Sequence, residues 1–160
     1  MSFERDIQKF KQKAKNASEA TIRAAGLQVF AAIIERTPVG NPEIWLAKNS
    51  DGEYVDYLSV NDYPEGYIGG TARGNWQTAV GRRPTGTLDT QDESGRVALA
   101  GASLAAASFT LADTLYFANN LPYIQRLEDG WSSQAPAGMV ANSVDSFSRA
   151  VDGAARKHRI

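Results

Sequence analysis

A chain of 160 residues with 42% apolar and 22% charged residues is long enough to bury a real core and has an ordinary globular composition. A formal net charge of −1 excludes a global field that gathers nucleic acid or an anionic membrane, and the lack of cysteine excludes disulfides, thiolate metal sites and thiol catalysis. The opening Met-Ser-Phe-Glu-Arg-Asp lacks the apolar core of a signal peptide, and no window reads as a membrane span, so a non-exported, non-membrane protein of a reducing cytoplasm is expected.

Residues 2–36 read as one long amphipathic helix. Phe3, Ile7, Phe10, Ala14, Ala17, Thr21, Ala24, Gln28 and Ala31 recur at alternating steps of four and three, which places them on one stripe. Past Ala20 the apolar face widens to take in Ile22, Leu27, Phe30, Ile33 and Ile34, so the second half reads as a core helix. The first half is Lys-rich and thinly apolar, and either leans on a partner or lies solvated. Thr37-Pro38-Val39-Gly40-Asn41-Pro42 ends the helix, because each proline disfavours helix in the residue before it and brings no amide donor.

Residues 41–70 read as an acidic, aromatic-rich insertion. Ile44-Trp45-Leu46 and Tyr54 to Leu58 flank Asn49-Ser50-Asp51-Gly52, a hairpin signature. Tyr63, Tyr67, Pro64 and three glycines follow as a loop. Gly74 to Gly81 reads as a strand, residues 94–108 as a helix with Val97, Ala100, Leu104 and Ala107 on one face, and Leu115 to Ala118 as another strand. Pro122 opens a short helix on which Tyr123 and Leu127, four apart, share a face and seal it to the core. Gly130 ends that helix, and a last helix from about Pro136 carries Val140, Val144, Phe147, Val151 and Ala154 on one stripe before a basic tail. With few strands and no βαβ alternation, the fold class is α+β, helices covering a small, mainly antiparallel sheet with a hairpin insertion, in one domain spanning 1–160.

The even total charge hides an uneven distribution. Lys and Arg outnumber Asp and Glu seven to four over residues 1–36, and are outnumbered six to one over residues 41–70. These are either two solvated faces or a basic arm and an acidic insert that meet on neighbouring subunits.

Little in the sequence points to catalysis. His158 is the only histidine and sits in the basic tail. Gly66-Tyr67-Ile68-Gly69-Gly70 lacks the spacing of a phosphate-binding loop. Asp51, Glu53 and Asp56, like Asp89, Asp92 and Glu93, have no calcium-loop spacing and fit turn chemistry. Neither a catalytic residue nor a metal or other cofactor is expected. Arg82-Arg83, with Arg73, Trp76 and Arg96, is the nearest thing to a basic patch, suited at most to weak, non-specific contact with DNA.

Two sets of residues resemble a known family. Asn119, Pro122-Tyr123-Ile124, Leu127-Glu128-Asp129-Gly130, Ser133-Gln134 and Ala135-Pro136-Ala137-Gly138-Met139 match a strand-closing asparagine, Pro-Tyr-Ala, Leu-Glu-x-Gly, a Ser/Gln segment and Ala-Pro-x-Gly-Met. Thr37-Pro38-Val39-Gly40, followed beyond the insert by Arg73-Gly74-Asn75-Trp76, is similar to Thr-Pro-Val-Asp-Thr-Gly and Leu-Arg-Gly-Ser-Trp, with glycine for the aspartate. Together they resemble the neck or tail-completion proteins of long-tailed bacteriophages, minor tail and head–tail connector subunits. The resemblance implies a non-enzymatic α+β subunit of a ring, six-fold, between the head connector and the tail tube, around a channel that DNA traverses. It implies copies of itself, head-connector proteins and tail-terminator or tail-tube proteins as partners, and residence in the virion after assembly in the host bacterial cytoplasm. Trp45, Tyr54, Tyr57, Tyr63, Tyr67 and Trp131 are the natural interface aromatics, or else form a private core under the hairpin. A small metal-dependent enzyme using the acidic insert, and a monomeric protein-binding module, stand as alternatives.

Overall fold

The computed structural model describes residues 3–62 and 65–158. Its architecture is α+β. A 34-residue helix α1 (Phe3–Arg36) leads through a 3-10 turn (Pro42–Ile44) to the strands β1 (Leu46–Lys48) and β2 (Tyr54–Asp56) and the short helix α2 (Tyr57–Val60). Then come α3 (Thr71–Gly74), β3 (Gln77–Val80), α4 (Arg96–Ala107), β4 (Leu115–Ala118), α5 (Ile124–Glu128), α6 (Val140–Val144) and α7 (Phe147–Lys157).

The strands form two separate antiparallel pairs, the hairpin of the insert and the small sheet of the body, as the fold class expected. In the insert, Leu46 faces Asp56 and Lys48 faces Tyr54. In the body, Gln77 pairs with Ala118 and Val80 with Leu115, across a connection that contains α4. The Asn49 side chain shapes the insert's turn by accepting from the amides of Asp51 and Glu53 at 3.0 and 2.9 Å. Two expected strand segments are helical instead. Tyr57 and Leu58 open α2, where the Asp56 carbonyl accepts from the Ser59 hydroxyl, and Gly74 closes α3, so β3 starts only at Gln77.

The core draws Ala25, Val29, Ile33 and Ile34 from α1, Trp76, Ala98 of α4, Ala135, Met139, and Ala150 and Ala154 of α7. The buried seam of α1 therefore runs through Ala25, Val29 and Ile33, not along Thr21, Ala24, Gln28 and Ala31. A strict seven-residue repeat drifts around a straight helix, and in this helix α4, α6 and α7 all pack against the second half. Phe117 of β4 lies stacked between Phe30 of α1 (centroids 4.1 Å, 9° between planes) and Trp76 (4.8 Å, 6°). Each such pair contributes about 0.5–1.5 kcal/mol beyond the area it buries. Glu19, buried on α1, accepts from the Leu111 amide at 3.2 Å and pairs with Arg23, whose guanidinium donates to the Phe109 carbonyl. These bonds fasten the loop after α4 to the middle of α1. Over 18 residues α1 is long and apolar enough to cross a membrane, which the sequence reading did not expect. In this fold that stretch holds the core seam and those loop-fastening bonds.

Two helices present faces other than those expected. On α4 the buried residues are Ala98, Ala102 and Ala106, while Val97 and Leu104 are 65% and 74% exposed. Small side chains let α4 approach β3 and α1 closely, and its larger residues are left outside. The last helix is two, broken at Asp145–Ser146, so Val144 and Phe147 fall off the Val140, Val151 and Ala154 stripe and lie exposed. Ala102→Leu is expected to cost about 1–3 kcal/mol by overpacking this seam, while Leu104→Ser shifts stability by less than about 0.5 kcal/mol. Urea denaturation of the two variants checks the assignment, and equal losses would contradict it.

Candidate functional site

The last carbonyls of a helix have no partner within the helix and must find donors elsewhere. At the end of α1 the donor is Arg73. Its guanidinium reaches the Thr37 carbonyl from Nε (3.1 Å) and Nη2 (2.7 Å), the Glu35 carbonyl from Nη2 (3.0 Å) and the Glu93 carbonyl from Nη1 (2.6 Å). A cation there also complements the negative end of the helix dipole. Thr37, fully buried, donates its hydroxyl to the Ile33 carbonyl at 2.7 Å and accepts from the Trp76 indole at 2.7 Å. Thr37, Arg73 and Trp76 thus close one lock across the whole insert. Gly74 is needed for packing: a Cβ there would press on Thr90 and Asp92.

The same neighbourhood holds Asn75, which the sequence places only within the Arg73–Trp76 string, and Asp92, which it places in a turn. Asn75, fully buried, bonds the carbonyls of Thr71 and Leu88 and the Leu88 amide, fixing the loop before α4. Asp92 accepts from the amides of Arg96, Val97 and Ala98, capping α4. Its sequence signal was visible as an acid four residues before the helix, though it read as plain turn chemistry. Asn119 bonds the distant Ala72 carbonyl at 2.8 Å as well as the nearby Leu121 amide, so it joins the two motif halves as well as closing its strand.

A second lock lies within the later motif. Glu128 accepts from the amides of Met139 and Val140 on one oxygen and of Ala141 on the other, all at 2.9 Å. Gly130 (φ +85°) and Gly138 (φ +77°) take left-handed backbone, and a Cβ on either would collide with the carbonyl of Pro136 or Glu128. Met139 is fully buried, and Pro122 and Pro136 lie at the surface. Burial raises the carboxyl pKa of both Glu128 and Asp92, but the donors facing each outweigh it and hold both below their ordinary values.

Between the locks and the insert lies a cleft of about 500 Å³, lined by Pro38, Val39, Trp45, Tyr67, Tyr123, Leu127 and Trp131 among others. Gln134 forms its rim by pairing with both backbone groups of Val39. Trp45 meets Tyr57 and Tyr67 edge-on, both at 5.3 Å, so these three aromatics form a cluster inside the insert. Tyr54, at 70% exposed, and Trp131, at 75%, face out, each beneath a cation from Lys48 or Arg126. Tyr63 lies outside the described residues. Tyr123 does not seal α5 to the core; Ile124 and Leu127 do, while Tyr123 faces the cleft. There burial, and then the nearby Tyr67, push its phenol pKa up.

The basic patch does not assemble: Arg73 is spent on the helix end and Trp76 on the core. Arg82 and Arg83 remain exposed, Arg83 bonded to Asn120 at 3.1 Å. Among the described residues no three His, Asp or Glu side chains come together as a metal site. No family model, curated protein or solved structure matches the chain.

Two outcomes test the locks. Arg73→Lys keeps the charge but loses the fork, and is expected to lower stability by about 1–3 kcal/mol in chemical denaturation. Because the Glu128 and Asp92 carboxyls sit below their ordinary values when folded, the stability they contribute is complete above those values and is lost as the pH falls below about 4. Melting curves of Glu128→Gln across pH 2–7 should show a shallower acid decline than the parent; an unchanged slope would count against the capping role.

Proposed function

We propose that this protein is a structural virion subunit of the neck or tail of a long-tailed bacteriophage, forming a hexameric ring that joins the head connector to the tail tube. The observation that carries this reading is the Thr37–Arg73–Trp76 lock. The residues on which the resemblance rests, split in the sequence by the insert, meet at one helix end and bond one another. The later motif behaves likewise, with Glu128, Gly130, Gly138 and Met139 serving one another. Motif residues used in this way support a shared scaffold with no chemistry of its own.

Ring assembly is supported by large apolar side chains left outside on separate faces: Val97 and Leu104 on α4, Phe147 on α7, and Trp131 beside the cleft. In the ring, Arg82 and Arg83 are the side chains offered to passing DNA, with weak and non-specific contact. The virion is the site of residence, and the host bacterial cytoplasm the site of assembly. A monomeric protein-binding module is the competing reading, favoured by the aromatic cleft.

Electron microscopy of particles produced without this gene separates the two. Heads and tails that fail to join, or tails with altered ends, are expected, and joining is restored by supplying the protein. Normal virions in its absence would refute the role.

A further inference from the structure

The first three turns of α1 stand clear of the body. Residues 3–13 are all exposed, and Phe3 and Phe10 are 79% and 60% accessible although they share one stripe with Ile7. Lys11 and Lys13 flank that stripe, and residues 3–18 carry five basic side chains against two acidic ones. The insert has the complementary character. Its six acidic residues are exposed, and the outer face of its hairpin presents Leu46 (64% accessible), Tyr54 (70%) with the Lys48 ammonium over its ring, and Asp56, with Asp51 and Glu53 at the turn supplying the acidic excess.

These two surfaces cannot meet within one chain. The insert leaves from the C-terminal end of α1 and is held there, with Tyr67 and Trp45 packed against Gly40. A helix of 34 residues is about 50 Å long, so its tip lies far from its own insert. Resting on the ring reading above, we propose that the N-terminal stripe of α1 docks on the acidic hairpin face of a second copy of this chain. The contact joins two different surfaces, so it is head-to-tail. Repetition of such a contact closes a ring where the rotation per copy allows it. Apolar side chains at the centre and opposite charges around them fit the anatomy of a protein interface.

Sedimentation velocity over a concentration series, with the full chain, tests this. The parent is expected to form a closed oligomer. Phe10→Ser, the pair Lys11→Glu/Lys13→Glu and the pair Asp51→Lys/Asp56→Lys should each weaken assembly by on the order of tenfold or more, with melting temperatures equal to the parent's at concentrations where all are monomeric, because these side chains are exposed in the single copy. Combining both charge-reversed pairs in one chain should restore assembly. If the parent forms rings and all the variants form them equally well, the docking is wrong while the ring reading stands. A parent that is monomeric at every concentration overturns both. Co-sedimentation with phosphatidylserine vesicles that is lost in Lys11→Glu/Lys13→Glu, with assembly unaltered, assigns the stripe to a membrane and also overturns the docking.

Discussion

One guanidinium closes the C-terminal end of the longest helix, and the rest of the fold is arranged around that closure. Arg73 sits on α3, a four-residue helix too short to hold a position by itself. Its bonds to the carbonyls of Thr37 and Glu35 fix α3 against the end of α1, and its bond to Glu93 fixes the loop that leads to α4. Trp76 follows three residues later. Its indole nitrogen is committed to Thr37 and its ring to the stack on Phe117 and Phe30. A side chain that caps a helix therefore also sets where β3 begins and how β4 lies over α1.

The same economy recurs at the other end of the chain. Glu128 ends one short helix and caps the next, and Arg36 at the end of α1 reaches Ser143 of α6. The two locks consequently meet on the same segment of α1. Short helices of four or five residues are thus held by side-chain-to-backbone bonds and by glycines that admit close approach, together with the few apolar side chains, such as Ile124, Leu127 and Val140, that they pack on the core. The insert stands apart from this scheme. Its aromatic cluster of Trp45, Tyr57 and Tyr67 is local, and its acidic side chains are exposed.

Such a division fits an assembly subunit. In the proposed reading, the residues bonded to one another form the interior and the exposed side chains make the contacts between subunits. The exposed apolar side chains of α1, α4 and the hairpin then become surfaces that need covering, and the locks have no need of a ligand to be complete.

Elements with strong local signals were legible in the sequence. These include the length of α1 and its stop at Thr37-Pro38, the Asp-Gly hairpin, the strand before Asn119, and the glycine stop at Gly130. Periodicity and turn chemistry act over a few residues, so they can be read from a few residues. Which face of a helix is buried was not legible. Alanines beat valine and leucine on α4 because the neighbours allow only a close approach, and the stripe on the last helix broke at Asp145–Ser146. The sequence by itself also placed Thr37, Arg73, Trp76, Glu128 and Gly138 in short strings rich in proline, glycine and polar residues. Only the tertiary structure decided what they do, because their partners lie up to 39 residues away and a hydrogen bond across that distance leaves no mark on local spacing.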